Sequence, residues 1–168
     1  MTCSACGGPM HLEADRECLV CDYCHNIYFP DANDDGVRVL GEPATEACPV
    51  CAVPLVQAAM SGQRILYCAR CRGMLILMDV FVALVQELRA RRTTSAAGAH
   101  PPDWNGLRRH ILCPRCHQTM DTHLYGGPGN IIIDNCPACY LNWLDAYELN
   151  RIVSAPDHQY NVEGWAAP

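Results

Sequence analysis

A chain of 168 residues with a formal charge of −6, 18% charged side chains and no lysine is a poor general binder of phosphate backbones. No apolar run approaches the roughly 18 residues of a membrane-spanning helix; the most apolar stretch, residues 74–85, is broken by Asp79. Thirteen cysteines leave two classes, a disulfide framework or a metal protein.

The first of three repeats spans residues 1–46. It carries Cys3 and Cys6, then Cys21 and Cys24. Residues 9–13 are expected as a strand, Asp15 and Arg16 as its turn, and 17–21 as the return strand. Cys18 makes a competing Cys-x-x-Cys with Cys21. Its slot, three residues before the second pair, holds Ile65 and Ile133 in the other repeats. A buried free thiol is therefore expected; as a spare thiol it would serve redox sensing or metal exchange. Further on, Asp31, Asn33, Asp35, Gly36 and, at the twelfth position, Glu42 have the spacing of a calcium loop. The flanks argue otherwise: Pro30 precedes it where a helix is needed, and Arg38 stands where an aliphatic residue is usual. An acidic turn is expected, and no helix follows it.

The second repeat, residues 47–92, carries Cys48 and Cys51, then Cys68 and Cys71. Strands are expected at 54–60 and 64–67, joined at Ser61 and Gly62. After Arg72 and Gly73 an apolar approach leads to Asp79, the expected N-cap, and to a helix over 80–92. Phe81, Leu84, Val85 and Leu88 form one stripe, widened by Val80 and Val82. Packing on a ribbon is the expected use of that stripe, with a protein-binding or self-association face as the alternative.

Residues 93–112 are expected to be a linker. The third repeat, 113–155, carries Cys113 and Cys116, then Cys136 and Cys139, with strands expected at 119–125 and 131–135 about a turn at 126–130. Asp145 is expected to cap a helix and Glu148 to complete a capping box, with Ala146, Leu149, Ile152 and Val153 facing inward. Residues 156–168 are expected to be a flexible tail, with Tyr160 and Trp165 as potential docking anchors.

Twelve cysteines thus fall into six Cys-x-x-Cys pairs. Each such turn aims two sulfurs at one point, and two turns at the ends of a hairpin complete a tetrahedron about 2.3 Å around zinc. A secreted disulfide framework fits less well. The opening Met-Thr-Cys-Ser-Ala-Cys-Gly-Gly has neither the basic nor the apolar region of a secretion signal, so a reducing cytoplasm is expected. Iron in a rubredoxin-like cage is the other metal; the short gaps, and second knuckles without glycine in the first and third repeats, favour zinc. Three structural Zn²⁺ are expected, one for each set of four cysteines. A module of about 40 residues buries too little apolar surface to fold unaided, and a structural zinc contributes about 10–16 kcal/mol. Removing one cysteine is expected to unfold its own module and leave the others intact. The expected fold class is small, metal-stabilised α+β: three tandem four-cysteine zinc ribbons, each a β-hairpin with its knuckles, the second and third each followed by a helix.

One stretch carries a likeness. Cys113-Pro114-Arg115-Cys116, with Cys136-Pro137-Ala138-Cys139-Tyr140-Leu141-Asn142-Trp143-Leu144-Asp145 and then Glu148-Leu149, resembles the bacterial TFIIB-type zinc-ribbon family. The second repeat is similar at both knuckles but has Leu75-Ile76 in place of Trp-Leu, and no Glu-Leu. The first keeps its cysteines and Tyr28-Phe29 without the helix. The resemblance implies zinc and a ribbon fold and, by the family's name, transcription.

Closed four-cysteine sites leave no position for a substrate, and no phosphate loop or nucleophile motif is present, so neither an enzyme nor a small-molecule ligand is expected. His25 and His117 each follow a cysteine pair but are surplus as ligands. Charge is uneven: −7 over residues 1–46, +5 over 47–112 and −4 over 113–168. With three zinc sites of four thiolates at −2 each, the loaded chain lies near −12. The basic middle either docks on its acidic neighbours or offers a patch to nucleic acid, with Arg70, Arg72, Arg89, Arg91 and Arg92 joined by Arg108, Arg109 and His110. The expected function is a non-enzymatic zinc scaffold that binds protein partners. A nucleic-acid-binding or transcription-associated ribbon is the alternative, and a zinc or redox sensor resting on Cys18 a lesser one.

Overall fold

The structure, a computed structural model, describes residues 1–13, 16–93, 101, 103–125 and 130–156. Asp15 of the first turn, residues 94–100 and 102 of the expected linker, residues 126–129 of the third hairpin turn, and the tail with Tyr160 and Trp165 lie outside the described residues.

The first repeat folds as a three-stranded antiparallel sheet, β1 (Met10–Glu13), β2 (Cys18–Cys21) and β3 (Ile27–Tyr28), in that order. The chain then leaves this sheet. β4 (Arg38–Ala47) pairs with β5 (Pro54–Met60) at the edge of a seven-stranded sheet whose order is β4-β5-β6-β7-β10-β9-β8. Residues 38–46, assigned to the first repeat by the cysteine spacing, are thus built into the sheet of the second. The reason is burial. Val37 and Leu40 are 0% and 2% exposed, and Val37 joins the core of the larger sheet. Pro43 and the left-handed Gly41 (φ +82°) coincide with the register shifts of β4, tolerable on an edge strand.

The rest of the large sheet is β6 (Gln63–Tyr67), β7 (Met74–Leu77), β8 (Asp121–Leu124), β9 (Ile132–Cys136) and β10 (Leu141–Leu144). β7 and β10 were legible only as an apolar approach and as the start of a helix. Both are strands, and they join the two repeats. They pair antiparallel with Leu75 opposite Trp143, each four residues after the last cysteine of its repeat. The second and third repeats therefore face each other about an approximate twofold axis. Their contact is not symmetric in detail. A Cβ on Gly73 would lie 2.2 Å from the Trp143 ring, whereas the equivalent position in the third repeat is Leu141.

Side chains alternate across the strands, so the sheet has two covered faces. On one, α1 (Met78–Ala90) and α3 (Glu148–Ser154) bury Phe81, Leu84, Val85, Leu149 and Ile152 against Met74, Ile76 and Leu144. The apolar stripe of α1 is thus core, with Val80 and Leu88 packed against it and Val82 exposed. Arg89 Nη2 donates to Ile152 O at 2.8 Å, and Arg92 Nη1 to Val153 O at 2.9 Å and Ala155 O at 3.1 Å, which satisfies carbonyls that a helix end leaves free.

Both helix starts differ from expectation. α1 begins earlier, with Leu77 at the N-cap. The Met78 N–H is taken by Tyr140 O at 2.9 Å, and Asp79 lies inside the first turn, accepting from Val80 N. α3 has Tyr147 (φ +68°) at its N-cap. Glu148 does reach back to Asp145 N at 2.7 Å. The Asp145 side chain does not cap; it accepts from Trp143 Nε1 at 3.0 Å and from Arg109 at 2.6 Å. A short helix, α2 (Trp104–Arg108), stands in the stretch expected as linker, capped by Asp103, which accepts from Asn105 N. No helix among the described residues is long and apolar enough to cross a membrane.

Candidate metal centres

Each Cys-x-x-Cys turn is built by the backbone in the same way. The residue after the second cysteine is left-handed in all six: Gly7, His25, Ala52, Arg72, His117 and Tyr140, with φ from +54° to +74°. In five of them its N–H bonds the carbonyl of the first cysteine at 2.8–3.1 Å. The first cysteine's own N–H bonds the next residue's carbonyl, as Cys48 does to Val53 O at 2.8 Å. In the sixth, the corresponding pair, Cys136 and Leu141, is a step of the β9–β10 ladder. Tight turns of this kind leave N–H groups aimed at sulfur: Cys51 N lies 3.2 Å from Cys48 Sγ and Cys71 N 3.5 Å from Cys68 Sγ.

Hairpins then bring the turns together in three sets: Cys3, Cys6, Cys21 and Cys24; Cys48, Cys51, Cys68 and Cys71; Cys113, Cys116, Cys136 and Cys139. Within each set the four sulfurs lie within 4.8 Å of one another. The closest pairs are at 3.4–3.6 Å, as for Cys6–Cys21 and Cys48–Cys71. Four sulfurs about 2.3 Å from one zinc stand about 3.8 Å apart, so the sets fit a tetrahedral ion with a small relaxation.

Electrostatics also call for a dication. In the first set, N–H groups of Ala5 and Cys6 hold Cys3 at about 6. Cys24, although helped by the Asn26 N–H, is pushed up to about 12 by the sulfurs of Cys6, Cys21 and Cys3 together with burial. In the third, the Gln118 N–H holds Cys116 at about 7, while burial and the neighbouring Cys116 and Cys113 raise Cys139 to about 12. In the second, Cys68 is lowered against the effect of burial by the N–H groups of Cys71 and Arg70, and Cys71 is raised by burial and its three neighbours. Each cage welcomes its first thiolates and resists the last, unless a cation neutralises them. Soft sulfur donors in a tetrahedron suit zinc.

The transcription factor zinc-finger family matches the chain at residues 47–87 and 112–155, together just over half of its length. The chain belongs to this family. Searches of curated proteins and of solved structures found no match. The two matched zinc ribbons are the ones that share the large sheet; the first ribbon lies outside the match but has the same turns and the same sulfur cage. The ribbons are not equally enclosed. In the first, Cys6 and Cys24 are exposed; in the other two the corresponding cysteines are half-buried. The second and third cages also share one apolar cluster, in which Cys48, Cys68, Cys113 and Cys136 pack with Leu55, Leu75, Met120 and Trp143.

The remaining residues singled out by sequence sort cleanly. Cys18 is fully buried on β2, outside every cage, in the apolar slot of Ile65 and Ile133, and burial raises its thiol. His25 and His117 are exposed and outside the cages. The calcium-like loop is closed on itself. Asn33 Oδ1 accepts from Asp35 N and Val37 N, both at 3.0 Å, and the buried Asp35 is held by Arg72 Nε and Nη2 at 2.8 and 2.6 Å and by Tyr67 OH at 3.1 Å.

Half of the arginines of the basic middle turn inward, while Arg64, Arg70, Arg91 and Arg108 are exposed. Besides Arg72, Arg89 and Arg92, Arg109 bridges the buried Asp134 at 2.7 Å and Asp145 at 2.6 Å, and Thr122 Oγ1 donates to the other Asp134 oxygen. Arg91 pairs with Glu87 one turn earlier. Arg115, just downstream, reaches Glu46 of β4 at 3.1 Å. Sequence reasoning missed the Arg109–Asp134 pair, although an aspartate directly after Ile131-Ile132-Ile133 was a usable signal, since a charge in a buried strand needs a partner.

Proposed function

We propose that this chain is a non-enzymatic scaffold held by three structural Zn²⁺ ions, working in the reducing cytoplasm by binding another protein. The observation that carries this reading is the fate of the arginines. Arg72, Arg89, Arg92 and Arg109, four of the eight arginines of the middle segment, serve carboxylates and helix-end carbonyls of the chain itself, so about half of its cations are withheld from phosphates. With the cages filled, the whole chain is strongly acidic, which disfavours nucleic acid further. A shallow groove of about 230 Å³ crosses the junction of the second and third ribbons. Leu66, Leu75, Leu77 and Leu141 floor it, and Arg64 and the Arg115–Glu46 pair stand at its rim. An apolar floor with a charged rim suits an apolar side chain flanked by a carboxylate.

The nucleic-acid reading keeps one specific support, since Arg64, Arg70, Arg108 and Trp104 remain exposed. One experiment separates the two. The zinc-loaded chain is titrated into labelled mixed-sequence duplex DNA and single-stranded RNA at low and moderate salt, and separately used to capture proteins, with Leu77→Glu as control. Capture of a protein by the wild type and not by Leu77→Glu, without nucleic-acid binding, supports the scaffold. Saturable binding that weakens steeply with salt would transfer the function to nucleic acid.

A further inference from the structure

The strand that follows the second knuckle has neighbours on both edges in two of the three ribbons. β7 pairs with β6 through Leu66↔Leu75 and Tyr67↔Met74, and on its other edge with β10. β3 is the same strand in the first ribbon. Tyr28 stands four residues after Cys24, as Leu75 and Trp143 do after Cys71 and Cys139, and Leu19↔Tyr28 and Val20↔Ile27 repeat the register of β6–β7. Yet among the described residues β3 ends its sheet. Ile27, Tyr28 and Phe29 are 45%, 44% and 54% exposed, where Met74, Leu75 and Ile76 are at most 2% exposed.

We propose that β3 pairs antiparallel with β3 of a second copy of this chain, giving a twofold homodimer centred on Tyr28. The occupant follows from the geometry of the pairing already present. β7 and β10 meet with equivalent residues opposite each other, so the arrangement is self-complementary, and a strand of the same kind can use it with its own copy. Centred on Tyr28, the pairing sets Tyr28 against Tyr28, an aromatic cross-strand pair, and Ile27 against Phe29. It also brings His25 to Asp31, the positions of Tyr140 and Met78, whose backbones are bonded at 2.9 Å in the β7–β10 contact.

The backbone is ready for it. Cys21 N bonds Asn26 O at 3.0 Å, so by alternation positions 26, 28 and 30 turn toward β2 and positions 27, 29 and 31 turn outward. Pro30, which has no N–H, falls on the inward set. An edge strand with exposed aromatic side chains otherwise invites indiscriminate pairing; one fixed partner removes the hazard. The first ribbon is acidic, with −6 over residues 1–37, so repulsion between copies is screened by salt and dimerisation tightens as salt is raised.

The test is sedimentation equilibrium on the full zinc-loaded chain over a wide concentration range. The expected result is a species of twice the 18.5 kDa chain mass, favoured by salt. Tyr28→Asp, which places like charges opposite each other, is expected to weaken association about 30-fold while native mass spectrometry still counts three zincs, and Tyr28→Phe to leave it unchanged. A second reading uses only wild-type protein: amide exchange at Ile27 and Phe29 slows as concentration carries the chain into the dimer, and this decides the matter should Tyr28→Asp lose zinc. A chain that stays at 18.5 kDa, a dimer indifferent to Tyr28→Asp with zinc intact, or exchange at Ile27 and Phe29 that ignores concentration would overturn the proposal.

Discussion

Ala52 sits just past the second cysteine of its knuckle with φ +56° and an exposed side chain. A left-handed residue with a Cβ costs about 1–2 kcal/mol, against the entropic penalty of glycine. Ala52→Gly is therefore expected to raise stability by about 0.5–1 kcal/mol, read as a higher thermal midpoint at saturating zinc. Gly73→Ala should act the other way. The Trp143 ring that a new Cβ would strike is fully buried and cannot yield, so a loss of about 2–3 kcal/mol is expected from denaturant titration. Glu148 offers a pH signature. Burial raises it to about 8, with Asp145 adding to the effect, well above the roughly 4.3 of an unfolded chain. The folded state then binds the extra proton, so this contribution is complete below about pH 4 and is lost as pH rises through 8. Stability at saturating zinc should fall between pH 6 and 9, and Glu148→Gln should flatten that fall; a profile unchanged by the substitution would remove Glu148 as its source. At this scale the cysteines were legible because spacing alone names them, and Cys18 was legible by its alignment with Ile65 and Ile133. Asp35 was not: nothing local tells an aspartate in an acidic turn that its partner is Arg72, 37 residues away.

Elements were read well where a period or a turn marked them, as in β5, expected and found at Pro54–Met60. They were misread where the run was short. Four apolar residues before a helix, Met74–Leu77, have no period of their own, and only the partner strand β10 makes them a strand. β4 was invisible for a related reason: its broken register, with Gly41 and Pro43 inside it, lacks the alternation by which strands are recognised. Beside the seam that these strands build, Asp134 of β9 stands opposite Trp143 and is held by Arg109. Removing Arg109 leaves Asp134, 2% exposed at its side chain, without its cation, and Arg109→Met is expected to cost about 3 kcal/mol. Arg109→Met combined with Asp134→Leu should recover much of that loss. Equal destabilisation of the single and double variants would show that packing, and not the stranded charge, sets the cost.

At the scale of the molecule the chain divides unevenly. One ribbon stands on a sheet of three strands; two are fused into a sheet of seven with a common core. The expectation that each ribbon unfolds alone therefore changes. Cys6→Ser should release one zinc and lose only the protection of residues 1–30 in hydrogen exchange, whereas Cys113→Ser should expose both later ribbons, because their cages share an apolar cluster. Loss of protection confined to the third ribbon would refute that coupling. A chelator should strip the first cage before the others, since Cys6 and Cys24 are exposed while Cys51, Cys71, Cys116 and Cys139 are half-covered.

The notch at Gly73 gives the seam a sense of identity. Two identical chains meeting on an axis must offer the same side chain twice, so a bulky Trp143 would face its own Leu141. Tethered on one polypeptide, the two halves need not match, and one holds the key while the other holds the lock. A stray third ribbon from another molecule has the wrong lock, and the first ribbon, with Asn26 at this place, has none for an indole. The tether thus does more than raise local concentration: it permits an unequal fit by which a third ribbon accepts a second ribbon and refuses a first or another third.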